Sequence, residues 1–156
     1  MRCRLIAAGT RLPDWINTGF REYQKRVRAP LDLELVEIPV AKRRPGENPS
    51  AAVLREGATM LAAVDAKDYV VALEVSAPSM TTAELSAWLG LRLRAARPLA
   101  LLIGGPDGLA PPCLERADQR WSLSPLTLPH SLVRVVVAEQ IYRAMSLVKG
   151  HPYHRA

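Results

Sequence analysis

The chain is poor in residues that could tie it down covalently or through a metal. It has two cysteines, Cys3 and Cys113, too few for a disulfide framework and in no metal-ligand spacing. Two free thiols in a reducing, cytoplasmic setting are the expectation. Aromatic residues make up 5% of the chain, with a single phenylalanine. No run approaches the roughly 18 consecutive apolar residues that cross a bilayer. Met1 to Gly9 loosely resembles a signal peptide, but its apolar part is too short and Arg11 and Asp14 soon interrupt it, so it reads as a first strand. Low-complexity stretches, internal repeats and long linkers are also lacking. With 49% hydrophobic residues, the expectation is one folded domain over residues 1–156.

The signatures of several enzyme classes are missing too. There is no Gly-x-Ser-x-Gly elbow, which argues against an α/β-hydrolase. Gly104-Gly105-Pro106-Asp107-Gly108 has the wrong spacing for the dinucleotide fingerprint and lacks the Lys-Ser/Thr of a phosphate-binding loop. His151 and His154 stand beside Pro152 without carboxylate or thiolate company, a poor metal site.

Positive charge is in excess. The net charge is +6, which favours a polyanionic partner, nucleic acid first. Residues 1–48 hold ten Lys/Arg against six Asp/Glu, and residues 131–156 hold four against one. Lys42-Arg43-Arg44 lies in a loop rich in proline and glycine. An isolated basic triplet is ordinarily a solvated loop. Together with the basic tail it becomes a candidate RNA or DNA footprint.

Strands and helices alternate along the chain. Strands are predicted at Arg2–Ala8, Leu31–Ile38, Tyr69–Leu73, Leu99–Ile103 and Trp121–Leu123. The helix after Pro13-Asp14 carries Ile16, Phe20, Tyr23 and Val27 on one stripe. Ser50 is the expected cap of a second helix, with apolar positions Val53, Leu54, Gly57, Met60, Leu61 and Val64. Thr81 and Glu84 form a capping box for a third. A short helix is expected at Pro112–Ala117 and a long one at Ser131–Val148, with Val133, Val137, Ile141, Met145 and Val148 on one side. Such alternation implies a parallel sheet covered on both faces, with ligands beyond the carboxyl ends of its strands. Three segments leave those ends: the one after Leu73, the Gly104–Gly108 turn, and Leu123 to Pro129. The last carries apolar and hydroxyl residues and no charge, as in buried packing or in the wall of an apolar pocket. The turn is either a plain tight turn or a place where backbone approaches a ligand.

The last six residues, His151 to Ala156, hold two imidazoles, a phenol and a guanidinium in a segment too short to fold alone. Chain ends are usually frayed. One so equipped is expected to be held by a partner subunit, a substrate or both.

Four of these segments carry a resemblance. Leu102 to Leu109, Trp121 to His130, Glu139 to Ala144 and His151 to Arg155 resemble the bacterial large-subunit rRNA pseudouridine N3-methyltransferases of the SPOUT (α/β-knot) superfamily. Ala8-Gly9-Thr10, Pro13-Asp14-Trp15 and Lys42-Arg43 after Ile38-Pro39 fit as well, so the likeness spans the whole chain. It implies an α/β knot: a parallel sheet of about five strands flanked by helices, with a C-terminal trefoil knot. Periodicity alone suggests an ordinary doubly wound sheet. It also implies S-adenosylmethionine bound in the knot, a homodimer, and methylation at N3 of a pseudouridine in 23S rRNA of the assembled ribosome.

Carried over by position, Leu73, Gly104, Leu123, Ser124, Pro125, Leu126, Thr127 and Leu128 would contact the cofactor. His130, Arg143, Lys42 and Arg43 would bind substrate, and Tyr153, His154 and Arg155 would act in catalysis from a tail reaching into the partner's pocket. An imidazole titrates near the pH at which a base must work, so His154 is the leading general base. Tyr153 would orient it, and Arg155 or Arg143 would stabilise the N3 anion. The other reading of Tyr153-His154-Arg155 is that it only grips phosphate. Where the family usually has Asp and Gly after the third strand, this chain has Glu74 and Ala77, so that loop is expected to differ slightly. Two other functions stay open: a non-catalytic ribosome-assembly factor on the same fold, and a related methyltransferase acting on a ribose 2′-hydroxyl or a tRNA base.

Overall fold

Cys3, Leu5 and Ala7 point to one side of the first strand and Ile6 and Ala8 to the other, and all five are buried. Strand β1 (Arg2–Ala8) is therefore central and covered on both faces. The computed structural model describes residues 1–154. Arg155 and Ala156, and the side chain of His154, lie outside the described residues. After β1 come α1 (Asp14–Arg26), β2 (Asp32–Ile38), α2 (Pro49–Ala62), β3 (Tyr69–Leu73), α3 (Thr82–Ala95), β4 (Leu99–Ile103), α4 (Pro111–Arg116), β5 (Gln119–Trp121), α5 (His130–Val148) and a 3₁₀ turn (Pro152–His154).

The five strands are all parallel, in the order β2-β1-β4-β3-β5. Steps from β1 to β2 and from β3 to β4 run one way along the sheet, and those from β2 to β3 and β4 to β5 run the other. Right-handed crossovers then put α1 and α3 on one face and α2 and α4 on the opposite face. The packing agrees: α5 lies against α1 and α3, and α2 packs on α4. Every residue of β4 is buried, as its unbroken apolar run requires.

Several boundaries differ from the sequence expectation by one or two residues: β2 starts at Asp32, α4 runs Pro111–Arg116 and β5 starts at Gln119, and two further differences have a clear local reason. Asn48 caps α2 in place of Ser50, its side chain accepting the Ser50 N–H at 3.0 Å, while Pro49 occupies a first-turn position where a missing N–H costs nothing. Strand β5 ends at Trp121 because β3 ends at Leu73, its register partner, leaving Ser122 and Leu123 nothing in β3 to pair with. The long helix starts one residue earlier, at His130. Two residues placed on apolar stripes are also exposed: Leu54 at 48% and Val148 at 45%. The Thr81–Glu84 capping box forms as expected.

The knot can be followed through hydrogen bonds. The Glu74 N–H donates to Trp121 O at 3.0 Å on one side of the chain, and the Ser122 N–H donates to Pro78 O at 3.0 Å on the other. Ser79 pairs with Ser122 as an isolated parallel bridge. Residues 121–122 thus pass between the start and the middle of the connection that joins β3 to α3. Everything after them, α5 included, follows through that loop.

Candidate active site

At the carboxyl ends of the strands, the segments after β3, β4 and β5 enclose a cleft of about 540 Å³. Its size falls in the usual range for small-molecule sites. Leu73, Glu74 and Val75 form one wall, residues 103–109 a second, and Ser122, Leu123, Ser124, Leu126, Thr127 and Leu128 a third, with His130, Val133 and Leu114 completing it. Seven of the eight residues assigned to the cofactor line this cleft; Pro125 does not. His130, assigned to substrate, lines it as well.

The walls owe their shape to local chemistry. A Cβ on Gly104 would stand 2.4 Å from the Gly108 carbonyl carbon, so that position admits only glycine for the turn to close. Gly108 has φ +83°, and its N–H donates to Gly105 O at 3.0 Å. In the third wall the Ser124 hydroxyl accepts the Leu126 N–H at 3.0 Å and the Ser122 hydroxyl donates to Ser124 O at 3.0 Å. Leu126 itself is 73% exposed at the mouth.

The charge of the lining runs against that of the protein. Glu74 and Asp107 line the cleft, and among the described residues no lysine or arginine does. The Glu74 carboxylate accepts from the Ser76 hydroxyl at 2.8 Å, so the glutamate that replaces the family's usual aspartate is held at the rim. A basic chain has therefore built an acidic and apolar cleft, suited to a cationic ligand with an apolar body.

The remaining assigned residues gather elsewhere. Arg143 donates to Glu139 Oε1 at 2.8 Å, an i,i+4 pair on α5, and its guanidinium lies 5.1 Å from the centre of the Tyr153 ring. Tyr153 packs on Tyr142 with ring centroids 4.4 Å apart, and its hydroxyl donates to Glu139 at 3.4 Å. Burial, with Tyr23 alongside, pushes the Tyr153 phenol up to about 12. It is a hydrogen-bond donor at neutral pH and not a base. At 1.5 Å of rise per residue, this cluster stands roughly 14–20 Å along α5 from His130. Tyr153 thus docks on its own helix, away from its own cleft. Lys42 and Arg43 lie in the loop before α2, and Arg43 reaches Asp107 of the glycine turn at 2.5 Å. The side chain of His154, and Arg155, lie outside the described residues.

The sequence reading missed Arg134 and Glu56. Arg134 is fully buried on α5, donating to Glu37 at 2.8 Å and to the Ala8 and Gly9 carbonyls at 3.2 and 3.1 Å. It fixes the end of β1 beside His130. Its position was readable, since it precedes Val137, Ala138 and Ile141 at helical spacing and so puts a charge on a buried stripe. Glu56 lies beneath the glycine turn on α2, 4% exposed.

The family model described as "Predicted SPOUT methyltransferase" matches residues 1–154. The chain belongs to the SPOUT methyltransferase family. Members of this family generally draw their methyl group from S-adenosylmethionine. Three relatives carry the name ribosomal RNA large subunit methyltransferase H. The one from Alkalilimnicola ehrlichii is 54% identical over 156 residues, all of both chains. That from Hahella chejuensis is 47% identical over 155 residues, 99% of each chain. That from Pseudomonas putida is 48% identical over 155 residues, 99% of this chain and 100% of its own. A crystal structure of a methylase-family protein from Neisseria gonorrhoeae superposes with a TM-score of 0.52 at 17% identity, covering 90% of this chain and 81% of that one. The fold of this SPOUT chain is the α/β knot, in agreement with the resemblance and not with a plain doubly wound sheet. Among the described residues no helix is long and apolar enough to cross a membrane, and no cluster of three or more metal-ligating side chains occurs.

Proposed function

We propose that this protein is an S-adenosylmethionine-dependent methyltransferase of large-subunit ribosomal RNA, acting as a single domain over residues 1–156 at N3 of a pseudouridine in 23S rRNA of the assembled ribosome. The observation that carries the reading is the cleft at the knot: apolar walls, two carboxylates and, among the described residues, no lysine or arginine, in a chain of net charge +6. The full-length likeness to three proteins named as ribosomal RNA large subunit methyltransferases supports the substrate.

The residues present fit the cofactor. S-adenosylmethionine supplies an electrophilic methyl group on a positively charged sulfur. Leu73, Leu123 and Leu128 give its body apolar contact, and Glu74 favours its positive charge over the many anions of a cell. Ser124 and Thr127, with the backbone of the glycine turn, offer hydrogen bonds at the rim.

The reacting nitrogen of the base must lose its proton before its lone pair is available. Tyr153 keeps its proton, so His154 is the residue for that step, with Arg155 or Arg143 facing the charge that spreads over the two flanking carbonyls. That Tyr153 packs on its own α5 some distance from its own cleft supports a tail that serves the cleft of a second protomer. The working unit is accordingly a homodimer in the cytoplasm.

The test incubates the protein with methyl-labelled S-adenosylmethionine and ribosomes from a strain undermethylated at this position. Label at N3 of a pseudouridine in large-subunit rRNA, but not in free rRNA, is expected. Unchanged rRNA mass would instead mark a non-catalytic assembly factor, and label on a ribose or in tRNA would overturn the assigned target.

A further inference from the structure

The basic triplet that the sequence offers to RNA is not uniform. Among the described residues Lys42 and Arg44 form no ion pair, whereas Arg43 is committed inward. Its Nη2 and Nε donate to Asp107 Oδ2 at 2.5 and 3.1 Å, and its Nη1 donates to Ala41 O at 2.7 Å and to Glu56 Oε1. Asp107 belongs to the glycine turn, which forms one wall of the cleft. Glu56 comes from α2 beneath that turn. Its Oε1 also accepts the Ala41 N–H at 2.9 Å, while its buried Oε2 has no hydrogen-bond partner among the described residues. A Cβ on Gly105 would stand 3.1 Å from that Oε2, so the carboxylate lies directly against the turn.

Without Arg43 the arrangement opposes itself. Two carboxylates, one of them almost wholly removed from water, would flank the same turn with no cation between them. Like charges so placed repel, and a buried one without a partner is costly. Among the described residues Arg43 is the one cation ion-paired to either. Its planar fork bridges both at once, which a lysine ammonium does poorly.

We propose that Arg43 is a positioning residue for the methyl donor: by joining Glu56 to Asp107 it sets the glycine turn at the wall of the cleft, and its loss weakens donor binding, not the grip on RNA. The proposal rests on the reading of the cleft as the S-adenosylmethionine site and reassigns Arg43 from substrate to cofactor.

The experiment is calorimetric titration of S-adenosylmethionine into the full chain without ribosomes, for the wild type, Arg43→Ala, Arg43→Lys, Asp107→Asn and the Arg43→Ala/Asp107→Asn double variant. Michaelis constants for ribosomes are measured in parallel. Expected is a loss of donor affinity of about tenfold for each alanine or asparagine single variant, with the double variant no worse than either, because both remove one bridge. Arg43→Lys falls between these and the wild type, and the ribosome KM of Arg43→Ala stays within about twofold. Donor affinity unchanged in Arg43→Ala, with a several-fold rise in ribosome KM, overturns the proposal and returns Arg43 to the RNA. Should Arg43→Ala not fold, Arg43→Lys decides: unchanged donor affinity there overturns it too. A wild type that takes up no donor overturns the reading of the cleft and this proposal together.

Discussion

Arg134 and Glu37, 97 residues apart in the chain, meet at 2.8 Å where α5 crosses the carboxyl end of β2. Arg134 is fully buried, and Glu37 keeps 35% of its side chain in water. The pair is therefore lopsided. Replacing Glu37 by alanine leaves a guanidinium in the interior with, among the described residues, only the Ala8 and Gly9 carbonyls as hydrogen-bond partners. The expected cost is about 2–3 kcal/mol, below the largest values for buried pairs because water reaches the Glu37 side. The urea midpoint measures it. A loss of only a few tenths would mean that the pair behaves as a surface one.

Gly104→Ala is expected to abolish tight donor binding while leaving the sheet folded. The added methyl would meet the Gly108 carbonyl carbon at 2.4 Å and the Leu109 nitrogen at 2.7 Å, both backbone, so the turn has to open. An affinity loss of about tenfold or more in calorimetry, with the far-ultraviolet dichroism intact, is the expected pair of results. Wild-type affinity in this variant would show that the turn takes no part in the site.

Tyr153 and His154 separate by readout. The Tyr153 phenol is raised to about 12, above the usual value near 10, so its neutral form favours the folded state. That contribution is complete below about pH 10 and is lost as the pH climbs toward 12. Tyr153→Phe should flatten the alkaline fall in thermal midpoint over that window and leave neutral stability nearly untouched, since the ring still packs on Tyr142. His154→Ala, in contrast, should lower kcat by about a hundredfold at unchanged KM if it carries the proton. Equal loss of affinity alone would remove His154 as the base.

Glu47 gives an acid-side counterpart. Hydrogen bonds from the Arg55 side chain and the Arg44 backbone hold its carboxyl down to about 2. The folded state then binds this proton less readily than the unfolded one, so the contribution is present above about pH 4.5 and fades as the pH falls toward 2. Thermal midpoints of Glu47→Gln against the wild type across that range check it. Converging curves at the acid end are expected, and parallel curves would contradict it.

Much of this molecule could be read from its sequence, and the failures have causes. Strands β1, β3 and β4 were legible to the residue because a run buried on both faces has sharp polar borders. The cleft walls were legible because the rule for parallel sheets places ligands at the carboxyl ends of strands. Threading was not, since periodicity carries no information on which side of the 121–122 segment the 74–81 connection passes; only the family resemblance suggested it. The exposure of Leu54 and the inward turn of Arg43 toward Asp107 and Glu56 are tertiary matters that no local pattern carries. Arg134 and Glu56 are omissions that the helical spacing could have corrected, since Glu56 stands three residues after Val53 and four before Met60 on the buried stripe of α2.

The interlocking of residues 74–79 with residues 121–122 bears on how a ligand gets in and out. In a hinged enzyme, one wall swings away from the other. Here two of the three walls are tied through one another, so neither opens far without dragging on the edge of the sheet. The wall outside that interlock is the glycine side, a short turn latched by the Arg43 guanidinium.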